Sequence, residues 1–245
     1  MVTEIGGTPR RLYLIPLEDT AISLGGSLYG MVVCYLIQTS DGRNILIDTG
    51  IPADYQPPAG APPHTHERNV VNQLAALGLR PDDIDLLVCT HFDVDHAGFH
   101  DAFASAELVV QREHYELARS GYARFAPARP HWDHPALRYR LIEGDIELLP
   151  GVTLLETSGH CAGHQSVLVR LPQTGPVLLA GDAVALERLF TPERKAWPLD
   201  DDEERLRTST RKLLDLVERE RVALVVFGHD AAQWQILKAA PDYYE

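Results

Sequence analysis

Four times along this 245-residue chain a short apolar run ends in a small residue or Thr, and His or Asp follows at once. The stretches are Thr90-His91-Phe92-Asp93-Val94-Asp95-His96, Gly159-His160, Gly181-Asp182 and Gly228-His229. A short apolar run bounded by polar signals reads as a buried strand. Four strands that each release a potential ligand at the same point must end at a common edge if the ligands are to meet. Sites in α/β proteins gather at strand ends in this way. Of 11 His, four fall in this pattern. Neutral imidazole and carboxylate are natural ligands for Zn, Mn or Fe. Seven candidates (His91, Asp93, Asp95, His96, His160, Asp182 and His229) with Asp182 shared fit a pair of divalent ions.

The rest of the chain supplies strands and helices around that edge. Leu12 to Ile15, Leu28 to Ile37 and Asn44 to Asp48 read as strands, the last two joined at an Asp41-Gly42 turn. Ile51 to Pro63 is Pro-rich and reads as a loop. Glu67 to Leu77 has helical spacing and ends at Gly78. Ile84 to Cys89 and Glu107 to Gln111 read as strands, Gly98 to Ala104 and Glu113 to Arg119 as helices. Gly121 to Pro135 mixes Pro, aromatics and His and reads as a surface or lid loop. Further strands are expected at Ile146 to Leu149, Thr153 to Thr157, Ser166 to Leu171, Val177 to Ala180 and Val222 to Phe227. Glu203 to Arg221 and Ala231 to Ala239 close the chain as helices. Two sheets covered by helices suit this order.

Charge narrows the function. Twenty-two basic and 35 acidic residues leave a net charge of −13, which disfavours nucleic acid and anionic membranes. Three Cys imply no disulfide framework and a reducing compartment. Met1 to Arg11 contains no apolar leader, and no apolar run nears the roughly 18 residues of a membrane span, so the cytoplasm is expected.

His91-x-Asp93-x-Asp95-His96, with Gly159-His160, Gly181-Asp182 and Gly228-His229, resembles the metallo-β-lactamase superfamily, whose motif reads His-x-His-x-Asp-His. Asp48-Thr49-Gly50 matches its early Asp-Thr-Gly. The stretches Gly159 to Ser166 and Phe227 to Trp234 are most similar to the N-acyl-homoserine lactonases. The resemblance implies one αββα sandwich domain over residues 1–245. It places metal one on His91, Asp93 and His160, and metal two on Asp95, His96 and His229, with Asp182 bridging. It further implies a bridging hydroxide that opens a lactone ring, Asp95 as acid for the leaving alkoxide, and a homodimer. Other branches leave alternatives open: a thioester hydrolase of glyoxalase II type, a flavodiiron-like redox protein, or a binder that has lost turnover. The phosphodiester branch with RNA substrates is disfavoured by the charge.

Two positions depart from that family. Asp93 stands where it has His; as a ligand it would make the dimetal cluster neutral instead of singly positive, weaken the Lewis acid and favour Fe or Mn beside Zn. If the shorter Asp93 does not reach, a one-metal site results. Ala185 stands where lactonases carry Tyr, and Tyr29, Tyr122 or Tyr139 could substitute. The remaining candidates are assigned as follows. His164 is structural, Asp230 caps the last helix, and Cys161 is buried filler. Asp200 to Glu204 is a solvated helix start. His64, His66, His100, His114, His131 and His134 lie on the surface or lid, where His131 to His134 could touch substrate. Tyr29 and Met31 line an acyl pocket or the core.

Overall fold

The computed structural model describes residues 6–24, 27–56 and 68–245, with the side chains of 18–24 and 27–29 left aside. His64, His66, the Tyr29 side chain and part of the Pro-rich loop lie outside the described residues.

Two sheets form the centre. The first runs β1 (Pro9–Leu24), β2 (Ser27–Thr39), β3 (Asn44–Ile47), β4 (Leu86–Val88), β5 (Glu107–Gln111), β6 (Arg138–Ile142) in spatial order. The second comprises β7 (Ile146–Leu149), β8 (Val152–Glu156), β9 (Gln165–Leu171), β10 (Gly175–Gly181) and β11 (Leu224–Phe227), ordered β11-β10-β9-β8-β7.

Residue parity builds the layers. Side chains alternate across a strand, so a run that is apolar at every position must be covered on both faces. Ile45 and Ile47 of β3, Leu86 and Val88 of β4, Val167 and Val169 of β9, and Val177 and Leu179 of β10 meet between the sheets. The odd neighbours point outward. Leu46 and Leu87 pack with Val70 and Leu74 of α1 (Val70–Ala76) and with Ala118 of α2 (Arg112–Arg119). Leu168 and Leu178 pack with Leu213 and Leu216 of α4 (Glu203–Glu220). The result is the expected αββα sandwich. Asp202 caps α4 by accepting from the backbone N–H groups of Glu204 and Arg205, both at 3.0 Å. No helix among the described residues is long and apolar enough to cross a membrane.

Several local expectations need correction. β6 has no counterpart in the apolar pattern, because two Arg on a half-exposed edge strand hide its periodicity. Gly98 to Ala104 forms only a 3₁₀ turn, His100–Phe103. The last helix is α5 (Ala231–Trp234) and stops well before Ala239. Gly121 to Pro135 is a largely exposed segment that reaches His160 through Arg124, but it is anchored and partly helical. It contains α3 (Arg129–Trp132), buries Phe125 and Ala128, and stacks Trp132 on Phe92 with ring centroids 5.0 Å apart. His134 stays exposed, but His100 and His114 are fully buried.

His100 carries a testable cost. Neither ring nitrogen has a hydrogen-bond partner. Burial, with smaller contributions from His131, His96 and His114, lowers its pKa to about 3. The folded chain therefore resists a proton that the unfolded chain accepts below about pH 6.5. Its stabilising effect is complete above that value and is lost as pH falls toward 3. His100→Phe should flatten the acid limb of a denaturant-measured stability profile by up to about 1.4 kcal/mol per pH unit. An unchanged profile would show that His100 titrates freely.

Candidate metal centre

Strand direction brings the ligands together. β8 and β10 are both antiparallel to β9, and β11 is parallel to β10, so all three run the same way. His160, Asp182 and His229 therefore leave the second sheet at one edge. β3 and β4 are parallel in the first sheet and deliver Asp48 and His91. The Gln165 side chain donates to Cys89 O at 2.8 Å, joining the two sheets there.

The small residues ahead of the ligands have a steric purpose. A Cβ on Gly159 would lie 2.3 Å from the Leu206 backbone of α4. One on Gly228 would lie 2.8 Å from Asp182 Oδ1. Only glycine lets α4 and Asp182 approach this closely.

All seven predicted ligands converge in three overlapping groups: His91, Asp93 and His160; His91, His96 and Asp182; Asp95, His96 and His229. Asp182 stands between them, and His229 Nε2 is 3.1 Å from Oδ2 as well as close to Oδ1. Oδ2 lies 3.3 Å from His160 Nε2 and 4.0 Å from His91 Nε2. Oδ1 lies 3.0 Å from His229 Nε2 and 3.5 Å from His96 Nε2. Asp93 Oδ2 is 3.3 Å from His91 Nε2, and Asp95 Oδ2 is 3.7 Å from both His96 and His229 Nε2. Ligands bonded at about 2.1 Å around a tetrahedral ion stand about 3.4 Å apart, so these spacings suit metal.

The second nitrogen of each ring is fixed. His96 Nδ1 donates to Asp48 Oδ2 at 2.8 Å, His160 Nδ1 to Asp200 Oδ1 at 2.9 Å, and His229 Nδ1 to Met31 O at 2.6 Å. His91 Nδ1 donates to Thr90 Oγ1 at 2.9 Å, because the Thr90 hydroxyl itself donates to Asp48 Oδ2 at 2.6 Å. Each Nε2 is thereby turned inward, the arrangement that orients metal-binding imidazoles. Among the described residues, His91 Nε2 and His96 Nε2 are buried with no hydrogen-bond partner. Stranded polar atoms cost about 1–3 kcal/mol each. A divalent ion is the partner that imidazole nitrogen and carboxylate oxygen both accept, so the residues fit the group.

Without an ion, protons take its place. Burial opposes charge on His96 and His229, but Asp95 and Asp182 outweigh it, with Asp48 adding to the effect on His96, and both pKa values are raised. Metal entry must expel those protons. Calorimetric titration in buffers of different ionisation heat should show proton release, with affinity falling as pH falls below the raised pKa values. Uptake without proton release would contradict this arrangement.

Four supporting residues escape the ligand pattern. Asp200 was expected in a solvated helix start, but its side chain is only 4% exposed and orients His160. Arg194, also buried, holds Asp200 Oδ2 at 3.4 Å and bonds to Ala183 O. His114 accepts from Phe92 N at 2.9 Å and donates to Ala162 O at 2.8 Å, clamping two ligand loops together. Burial lowers its pKa to about 4, which keeps this bridge neutral. Arg124 forks onto Asp93, Nε to Oδ1 at 2.6 Å and Nη2 to Oδ2 at 2.5 Å. No sequence signal marked it.

The secondary assignments mostly stand. His164 Nε2 accepts from Asp182 N at 3.2 Å and its Nδ1 is 2.9 Å from Thr157 Oγ1, a structural role. Asp230 caps α5, and Cys161 is buried. Met31 packs between the sheets. His131 reaches Asp101 and Asp54. Ala185 lines a pocket with His160, Asp182, Trp197 and Leu199. Tyr139 does not fill the place of the absent Tyr, since its hydroxyl donates to Trp132 O at 2.7 Å. Tyr122 bonds to Asp201 at 3.1 Å.

Comparison with known proteins agrees with this geometry. The family model described as the metallo-beta-lactamase superfamily matches residues 29–229. An N-acyl homoserine lactonase AiiA of Bacillus thuringiensis subsp. kurstaki is 34% identical, aligned over 96% of this chain and 99% of the relative. The N-acyl homoserine lactonase AttM of Azorhizobium caulinodans is 35% identical over 73% of this chain and 70% of its own. A solved N-acyl homoserine lactone hydrolase with the product N-hexanoyl-L-homoserine at its catalytic metal center superposes with a TM-score of 0.83 at 33% identity. That match covers 97% of this chain and 100% of the other. The likeness runs over nearly the whole chain, which belongs to the metallo-beta-lactamase superfamily and, within it, to the family of the N-acyl homoserine lactonases.

Proposed function

We propose that this chain is a metal-dependent hydrolase that opens the lactone ring of N-acyl homoserine lactones, and so quenches quorum signals. The observation that carries it is the place of Asp182 between inward-facing imidazoles, His160 on one side and His96 and His229 on the other. Relatives matched over nearly their full length are N-acyl homoserine lactonases. Bound divalent ions would supply activated water near neutral pH and a Lewis acid for the carbonyl oxygen.

The chain's own residues do the rest. His91, Asp93 and His160 would hold one ion, Asp95, His96 and His229 the other, and Asp182 both. The Asp95 side chain is 26% exposed, more than any other ligand carboxylate, so it can meet solvent or substrate. We assign it the proton delivered to the departing ring oxygen, which leaves as the homoserine hydroxyl. Each subsite offers two imidazoles and one carboxylate besides Asp182, a donor set that suits Zn and also admits Mn or Fe. Three unpaired, buried Cys accord with work in the cytoplasm. A homodimer is proposed from the family resemblance, and sedimentation would test it.

The metal-loaded chain should release one proton per N-hexanoyl homoserine lactone and favour it over an acyl thioester. A thioester turned over faster than any lactone would move the assignment to the glyoxalase II type.

A further inference from the structure

Arg124 stands where a second metal ligand would be expected to find only metal. Its guanidinium grips both oxygens of Asp93, and Nη2 also lies 2.5 Å from His160 Nε2. Asp93 and His160 are two of the three residues of the His91–Asp93–His160 subsite. With Nδ1 donating to Asp200, the neutral His160 ring offers one lone pair at Nε2, to an ion or to an N–H, never to both, and Asp93 Oδ2 faces the same atom at 3.2 Å. The other side of the guanidinium is anchored: Nη1 donates to Leu199 O at 2.6 Å, His160 O at 3.0 Å and Asp201 Oδ1 at 3.1 Å. A planar five-donor fork on a carboxylate is among the strongest polar contacts a protein makes. Among the described residues no Arg or Lys forms an ion pair with Asp95 or Asp182 at the other subsite, where the basic partners are the imidazoles of His96 and His229.

We propose that Arg124 is a built-in competitor for the first metal subsite, so that the chain loads its ions unequally. The Asp95–His96–His229 subsite fills first and tightly. The His91–Asp93–His160 subsite fills only when the guanidinium yields His160 Nε2, swinging toward the Leu199–Asp201 loop that already holds Nη1. Asp93 is part of the device. A His at that position would give Arg124 no carboxylate to fork onto, and the cation would lose its main reason to occupy the subsite. Arg124 acts here as a positioning residue, through Asp93 and His160. The inference rests on the two-subsite reading above, but not on the identity of the substrate.

The test is metal stoichiometry. Full-length chain is stripped with a chelator and titrated with Co²⁺, followed by calorimetry, visible absorption and elemental analysis. Wild type should bind one ion at least about 100-fold more tightly than the second. Arg124→Met should tighten the second ion and leave the first within about threefold, narrowing the gap to under about tenfold. Arg124→Lys, which keeps a charge but cannot fork, should fall between and covers the case in which the Met variant folds poorly. Two equal sites in wild type would overturn the proposal. So would a second ion that weakens in Arg124→Met, since Arg124 would then be a support for Asp93 and not a rival to metal. Absence of any tight ion would overturn the metal centre itself, a separate failure.

Discussion

Asp182→Asn is expected to abolish turnover, by at least about 10³-fold, or about 4 kcal/mol of transition-state stabilisation. One atom is exchanged, yet both subsites change. Oδ1 faces His96 and His229, and Oδ2 faces His160. An amide can offer an ion only its oxygen; its NH₂ group has no lone pair to give. The negative charge that offsets the ions also disappears. The variant should therefore bind less metal and lose the rise in melting temperature that metal gives wild type. Normal metal content with normal turnover would show that Asp182 does not bridge.

The second large effect is expected away from the ligands. Asp48 has a left-handed backbone (φ 58°) and is almost fully buried. Its carboxylate accepts from Thr90 N at 2.8 Å, Thr90 Oγ1 at 2.6 Å and His96 Nδ1 at 2.8 Å. Through Thr90 it also fixes His91. Asp48→Ala strands these donors and places a Cβ-bearing residue without a local hydrogen bond in a strained conformation. The expected cost is about 3 kcal/mol of stability together with a 10- to 100-fold loss of metal affinity, on the order of other such supporting contacts. Asp48→Asn, which tolerates the backbone angle, should keep most of the stability but not the metal affinity. If both variants bind metal as wild type does, the Asp48–Thr90–His relay is not what orients these rings.

What could be read from the sequence follows from where the signals lie. His91, His160, Asp182 and His229 were legible because each follows a buried strand through a small residue or Thr, and His96 because it closes the dense run of ligand types that His91 opens. That local pattern is what places them at one edge. The sandwich was legible because β3, β4, β9 and β10 are apolar at successive positions, which only two-sided cover explains. Arg124 and Asp200 were not. Arg124 lies in a stretch of Pro, aromatics and His with no periodicity. Asp200 opens an acidic run that looks like ordinary helix N-terminal charge; its neighbour Asp202 does serve as that cap. Both reach the centre only because the loops at 121–135 and 190–202 fold back over His160, a long-range event with no local signature. His100 and His114 were misplaced for a related reason. A buried neutral His is identical in sequence to a surface one, and only the packing of Phe92 and Phe125 around His114 distinguishes them.

The central claim, that converging imidazoles and carboxylates hold the metal that makes this chain a lactonase, is tested most directly by stripping and reloading. Turnover of N-hexanoyl homoserine lactone is measured on metal-free chain, then at increasing Zn²⁺ or Mn²⁺, with bound metal counted at each point. The account predicts no ring opening without metal and turnover that rises in step with occupancy. Undiminished turnover in the metal-free chain, or none in a chain carrying its full complement of metal, would contradict it.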